Sequence, residues 1–212
     1  MERTTSDQTL EYIKNHMDIK NCLKKGVINY SSLARLIASE LDIEKKTSKE
    51  AILMAARRYQ ERLKDEVDFE KNIKNLLAKS EIEIKNKIEV LIFQKNIKFS
   101  DIEEIQKEVK KESETFYLLE GSNNYTIIIP ERFSKAILKK FKSHLIRRHE
   151  GLALIRLKSP EDIEDIPGIV YYLTSFFYEN GVNITEVMSF WTDTVFTIKK
   201  EDVNKAISFL QF

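Results

Sequence analysis

Cysteine, tryptophan, proline and glycine are scarce in this 212-residue chain, which holds one, one, three and five of them respectively. A single Cys22 excludes an intramolecular disulfide, and its place beside Ile19 and Leu23 predicts a small buried core residue. His16, His144 and His149 are too scattered to nominate a metal site. The few glycines form no Walker loop, nucleotide fingerprint or nucleophile elbow, and no His-Glu-x-x-His occurs, so an enzyme is not expected and no cofactor is implied. No apolar run approaches the ~20 residues needed to cross a bilayer, and the polar M-E-R-T-T-S-D start has no signal-peptide core. The expectation is a cytoplasmic protein with no membrane partner.

Net charge is also nearly absent, +1 at pH 7, although 33% of the residues are charged. The balance hides an asymmetry. Residues 1–64 hold 13 Lys and Arg against 9 Asp and Glu, and the remainder hold 22 against 25. That tilt points mildly to a polyanion at the N-terminal end.

Residues 1–66 show helical spacings and no strand alternation, which predicts an all-helical domain. Short helices are expected over 9–17 and 19–25, with Gly26 as terminator. Ser31 can cap a helix bearing Leu33, Leu36, Ile37 and Leu41, and Thr47 with Glu50 fits a capping box. The helix that follows carries Ile52, Ala55, Ala56, Tyr59 and Leu63 on one face. This pair resembles a helix-turn-helix, winged-helix-like domain whose second helix would present Ser48, Lys49, Arg57 and Arg58 to DNA. The gap from Leu41 to Thr47 exceeds the usual turn of 3 to 4 residues. A helical docking domain with solvated charges is the alternative.

The C-terminal part is richer. Pro167-Gly168 stands where a strand gives way to a helix, and Ile169, Tyr172, Leu173, Phe176 and Phe177 then recur at helical spacing. Asn180-Gly181 ends that helix. Strands follow at 182–191 and 194–198, with a turn near Thr192-Asp193, and a last helix carries Val203, Ala206, Ile207 and Leu210. With the strand L-A-L-I-R-L in front, the order is β-α-β-β-α, helices on one face of an antiparallel sheet.

These residues, Asp165, Pro167 and Gly168 of a D-x-P-G loop and Gly181, Val182, Asn183 and Ile184 of a G-[IV]-N-I turn, resemble the ACT regulatory domains of amino-acid-sensing regulators and aspartokinase-type proteins. The resemblance covers 152–212. It implies a ferredoxin-like βαββαβ fold, association with another copy as a homodimer or homotetramer, and a small effector, usually an amino acid, at the shared interface. Its effector contacts would be Asp165, Ile166, Pro167, Gly168, Ile169, Asn183 and Ile184. The backbone N–H groups at the helix start can hold a carboxylate, Asp165 can accept from an ammonium, and Asn183 has both donor and acceptor ends. Asn183 equally serves to stabilise the turn after Gly181, and Asp165 to cap the helix. Trp191 is a candidate to cover a ligand. The module stops before its fourth strand.

An internal repeat runs upstream: at an offset of 70, Glu131, Lys135, Ala136 and Ile137 fall on Glu201, Lys205, Ala206 and Ile207. It predicts a degenerate module over 67–148, without D-x-P-G or G-x-N-I, before the effector-competent one over 149–212. Its elements are strand 87–93, helix 101–112, strands 115–120 and 125–129, helix 131–141 and a last strand 145–148. A strand pair turning at Asn86 is either a wing of the first domain or the start of this sheet. The fold class is α+β. Two functions follow: a regulator that passes effector binding to DNA, or a scaffold that docks on an enzyme.

Overall fold

Helix caps decide where the first elements begin. In the computed structural model, which describes residues 3–65 and 69–212, the chain divides into two units, Met1–Asp68 and Phe69–Phe212. The predicted boundary between residues 66 and 67 lies outside the described residues. The first unit holds α1 (Thr5–Asn15), α2 (Met17–Lys24), α3 (Tyr30–Glu40) and α4 (Lys49–Lys64). A capping box is present, but at α1: the Asp7 N–H donates to Thr4 Oγ1 at 3.2 Å and the Thr4 N–H to Asp7 Oδ2 at 3.3 Å. It starts α1 four residues before the expected Thr9, in a polar turn that has no apolar period to reveal it.

The box expected at Thr47 and Glu50 does not form. Ser48 is the N-cap of α4, accepting from the Ala51 N–H at 3.2 Å, which leaves Glu50 one position too early to reach back. Asn29, rather than Ser31, caps α3. Cys22 is exposed, not buried, because the inward stripe of α2 runs through Ile19 and Leu23 and Cys22 falls on its flank. The core of this unit is built by Ile13, Leu23, Leu33, Ile37, Ile52 and Leu63.

The second unit contains α5 (Phe69–Leu77), β1 (Glu81–Gln94), α6 (Phe99–Lys111), β2 (Tyr117–Glu120), β3 (Asn124–Pro130) and α7 (Glu131–Phe141). It continues with β4 (Leu145–Lys158), α8 (Ile169–Glu179), β5 (Ile184–Phe190), β6 (Asp193–Lys199) and α9 (Val203–Phe209). The six strands form one antiparallel sheet in the order β2-β3-β1-β4-β6-β5.

Its two central strands are a matched pair. Both β1 and β4 are 14 residues long, lie 64 positions apart in sequence, and bury the same seven-residue tail in the same pattern. Each is kinked at the same place by one left-handed residue, Lys87 at φ +58° and Gly151 at φ +66°. These are bulges and not turns. The expected hairpin at Asn86 is therefore corrected to one continuous strand, and 145–148 likewise runs on through Gly151 into the next module. A turn would need the two halves to pair with each other, whereas both halves of β1 pair with β4.

That pairing supplies the missing strand. Residues 88–93 of β1 pair with 145–152 of β4, completing the first ferredoxin-like module in the order β2-β3-β1-β4. Residues 81–86 pair with 153–158, from Glu81↔Lys158 to Asn86↔Ala153. The second module, β5-β6-β4, thus takes its fourth strand from the segment that precedes the first module. Helix α5 comes with it, adding Ile73, Leu76 and Leu77 to a core shared with Leu173, Phe177 and Phe196.

The repeat is real in space, but its register over β3-α7 and β6-α9 is 69, not 70. Ser134, Ile137 and Phe141 are the buried residues of α7, and Val203, Ala206 and Leu210 hold the equivalent places at the end of the chain. At an offset of 70 the exposed Ala136 would match the buried Ala206. Letter identity chose a register that burial rejects, since a one-residue slip turns a strand's faces over.

The face of the sheet away from the helices is also a core, made of Ile88, Val90, Ile128, Leu152, Leu154, Met188 and Val195. The sheet curls to cover it. Tyr117 and Phe190, from the two outermost strands, meet with ring centroids 5.9 Å apart, and Arg156 of β4 donates to the Tyr117 hydroxyl at 2.6 Å.

Candidate functional site

The D-x-P-G segment is a ten-residue connection from β4 to α8, where the first module has only four residues between β1 and α6. Ser159 anchors its start: the N–H donates to the Thr192 carbonyl at 2.8 Å, and the hydroxyl accepts from Ser80 at 2.8 Å. A 3₁₀ turn over Glu161–Asp165 buries Ile163. Gly168 follows at φ +92° as the N-cap of α8 and gives it no side-chain cap. A Cβ there would meet Ile73 Cδ1 at an ordinary 3.8 Å, so the backbone conformation, not lack of room, calls for glycine. The first intrahelical bond runs from the Tyr172 N–H to the Gly168 carbonyl, 2.8 Å, leaving the N–H groups ahead of it for water or a ligand.

Opposite this helix start, β5 and β6 are joined by a two-residue turn that holds Trp191 at φ +44°. A bulky residue at positive φ is strained by about 1–3 kcal/mol and persists where its surroundings hold it. Here the Thr192 carbonyl is tied to Ser159. Loop and turn border a half-open cavity of about 370 Å³ whose wall includes Glu164, Ile166, Gly168, Ile169, Tyr171, Ser189 and Trp191. It offers helix N–H donors, one carboxylate, the hydroxyls of Ser189 and Tyr171, and an indole.

Three of the predicted contacts, Ile166, Gly168 and Ile169, stand together on this wall. Asp165 and Pro167 are exposed beside it, and the wall carboxylate is Glu164 instead. Asn183 and Ile184 are off the wall, past the far end of an 11-residue helix, about 16 Å along at 1.5 Å per residue. There the G-x-N-I turn stops α8. The Gly181 N–H donates to the Tyr178 carbonyl at 3.0 Å and the Val182 N–H to Phe177 at 2.8 Å, a Schellman-type end; Asn183 is exposed and Ile184 packs on the helix-side core. Glu164 lies inside the loop but outside its D-x-P-G motif, and Ser189 meets the loop only through the fold, so spacing points to neither. Glu186 on β5 is half-buried, and desolvation raises its carboxyl above the ordinary glutamate range.

In the first unit, Ser48 spends its hydroxyl on the cap of α4, and Lys49, Arg57 and Arg58 are exposed. The Arg57 guanidinium lies 5.3 Å over the Tyr30 ring. These residues do not share a face: at 100° per residue, Lys49 and Arg58 are about 180° apart around the helix. Tyr12 donates to Glu40 at 2.7 Å, and burial, then that bond, push its phenol up to about 12. Among the described residues no His, Cys, Asp and Glu cluster could hold a metal, and no helix is long and apolar enough to cross a membrane.

No protein-family model matches the chain, and no curated protein does. Solved structures do. The aspartate kinase of Clostridium acetobutylicum superposes at a TM-score of 0.50 with 15% identity, over 61% of this chain and 33% of that one. A protein of unknown function from Vibrio cholerae gives 0.49 and 13%, over 68% and 96%. The regulatory subunit of aspartate kinase from Thermus thermophilus gives 0.47 and 9%, over 61% and 92%. This chain spans about a third of the Clostridium kinase, and the likeness to it is one of fold: α+β, with paired ACT-like, ferredoxin-like modules.

Proposed function

We propose that the second unit is a sensor that binds a small amino-acid effector and changes the protein's associations, with no catalysis of its own. One observation carries this reading: the uncapped start of α8 faces a cavity of about 370 Å³ that is also lined by a carboxylate and by the indole of Trp191, whose backbone is held at positive φ. Helix N–H groups suit the effector's carboxylate, Glu164 its ammonium, and Trp191 the side chain. The Clostridium kinase that shares the fold is an allosteric enzyme, which supports a regulatory use of these modules. Regulation requires that the effector favour one association state, a homodimer or homotetramer built through the modules, over another.

The test is a thermal-shift screen of the whole protein against the twenty amino acids, with Trp191→Ala and Gly168→Ala in parallel. A ligand at 100 times its Kd stabilises by about 2.7 kcal/mol, a shift of roughly 5–10 °C for a unit of this size. A shift abolished by both variants supports the site. A shift that neither variant alters overturns it.

The output of the sensor rests on the first unit. We infer DNA as its partner, on the observation that α4 packs on α3 through Ile52 and Ala56 while Arg57 and Arg58 remain exposed. The eight residues between α3 and α4, and the place of Lys49 on the opposite side of the helix from Arg58, favour docking on an enzyme as the competing reading. Fluorescence anisotropy on random duplex DNA at two salt concentrations separates them. DNA binding falls steeply with salt and with Arg57→Ala plus Arg58→Ala, and salt-independent retention of a protein partner contradicts it.

A further inference from the structure

A second cavity, about 670 Å³, lies in the first module at the opposite end of its strands from the β1-α6 connection. Its wall is made where β1 enters the module, where α6 ends, and where β3 passes into α7. Two of the four non-glycine residues with positive φ among the described residues, Lys87 at +58° and Ser113 at +56°, line it together.

The molecule carries its own control for these two positions. Lys87 corresponds to Gly151, 64 residues on, in a strand of the same length and burial pattern. Ser113 corresponds to Gly181, 68 residues on. The Ser113 N–H donates to the Lys110 carbonyl and the Glu114 N–H to Val109, the same pair of bonds that Gly181 and Val182 make to Tyr178 and Phe177. Both backbone shapes are thus met by glycine in one module and by side-chain-bearing residues in the other. The two substituted positions fall on the wall of one cavity.

The charges on that wall divide into occupied and open. Arg132 bridges Glu112 and Glu114 at 2.8 Å each, and Lys85 donates to the buried Thr115 hydroxyl at 2.8 Å while lying 3.5 Å from Glu83. Lys87 and Glu131 form no ion pair among the described residues; Glu131 lies within electrostatic reach of Arg148, which is already held by Glu89 and Glu150. Lys87 and Glu131 leave the sheet side by side, because the last β1-β3 pair is Ile88↔Pro130. An open cation and an open carboxylate, flanked by groups already neutralised, suit neither a polyanion nor a polycation.

We propose that this cavity is a second small-molecule site, separate from the one at α8, for a zwitterion such as a free amino acid, with the ligand's carboxylate on Lys87 and its ammonium on Glu131. Ser113 presents its hydroxyl to the same ligand. The site does not depend on the α8 reading.

The experiment is isothermal titration of each of the twenty L-amino acids into the full chain: wild type, Trp191→Ala, Lys87→Gly and Glu131→Gln. Lys87→Gly installs the residue the repeat already carries at 151, and Glu131→Gln keeps shape; far-UV circular dichroism checks the fold of each. The expected result is an amino acid whose binding survives Trp191→Ala and weakens at least tenfold in both Lys87→Gly and Glu131→Gln. Binding lost in Trp191→Ala but unchanged in the other two supports the α8 site and overturns this one. No binding in Trp191→Ala, or binding indifferent to Lys87 and Glu131, overturns it as well.

Discussion

Gly151 and Lys87 hold the same left-handed backbone in two strands related by the internal repeat, so exchanging their residue types should move stability in opposite directions. A side chain in this conformation costs about 1–2 kcal/mol, and removing a glycine returns about 0.4–1 kcal/mol by restricting the unfolded chain. Gly151→Ala should therefore destabilise by about 0.5–1.5 kcal/mol. No steric term is added, because a Cβ at Gly151 meets nothing within 4 Å. Lys87→Gly should stabilise by a similar amount. In a unit of this size that is about 2–5 °C either way. Trp191, the chain's one tryptophan, lies in the second unit, so its fluorescence during thermal or urea unfolding reports that unit selectively. A Gly151→Ala midpoint within 1 °C of wild type, or a Lys87→Gly midpoint lowered by more than 2 °C, would refute the equivalence of the two bulges.

Glu89 is fully buried and accepts two bonds of 2.8 Å from Arg148, which is itself partly exposed and also paired with Glu150. Glu89→Gln should cost about 2–3 kcal/mol in the same unfolding assay, changed little by 0.5 M salt; a loss under 0.5 kcal/mol would show the pair to be idle. Glu186 has a carboxyl pKa raised by burial, so its folded form favours the proton: its contribution to stability is full below the ordinary value of about 4.3 and is lost as pH rises through the raised one. Glu186→Gln should then be more stable than wild type at pH 7 and equal to it at pH 4, and a difference independent of pH would contradict the assignment. Tyr12 should ionise near 12 in a spectrophotometric titration and return toward 10 in Glu40→Ala, since the Glu40 bond contributes to its shift.

The helix α7 was legible to the residue, because Glu131 opens it and Ile137 and Phe141 carry its inward stripe. Helix α8 was equally plain, bounded by Gly168 and Gly181, whose positive φ values are the kind of information a single letter encodes. The bulge at Lys87 was not, since lysine rarely takes that conformation and Asn86 beside it reads as a turn. Strand 81–86 alternates like any other, and nothing local states that its partner lies some seventy residues away in the second module. The α8 cavity was half legible. Its loop side is a sequence motif, whereas Ser189 and Trp191 reach it only through the register of a hairpin. Asn183 matched a motif whose visible work here is to end a helix.

The chain order of the two modules has a consequence for synthesis. Strand 81–86 leaves the ribosome before any part of the β4 segment it must join, while the first module needs only the additional residues up to about 150 to close. The nascent first module therefore carries an unmatched strand edge until residues 153–158 arrive, and the apolar side of α5 stays uncovered until the rest of the second module's core follows. A chain interrupted in that interval is left with the edge of strand 81–86 unpaired.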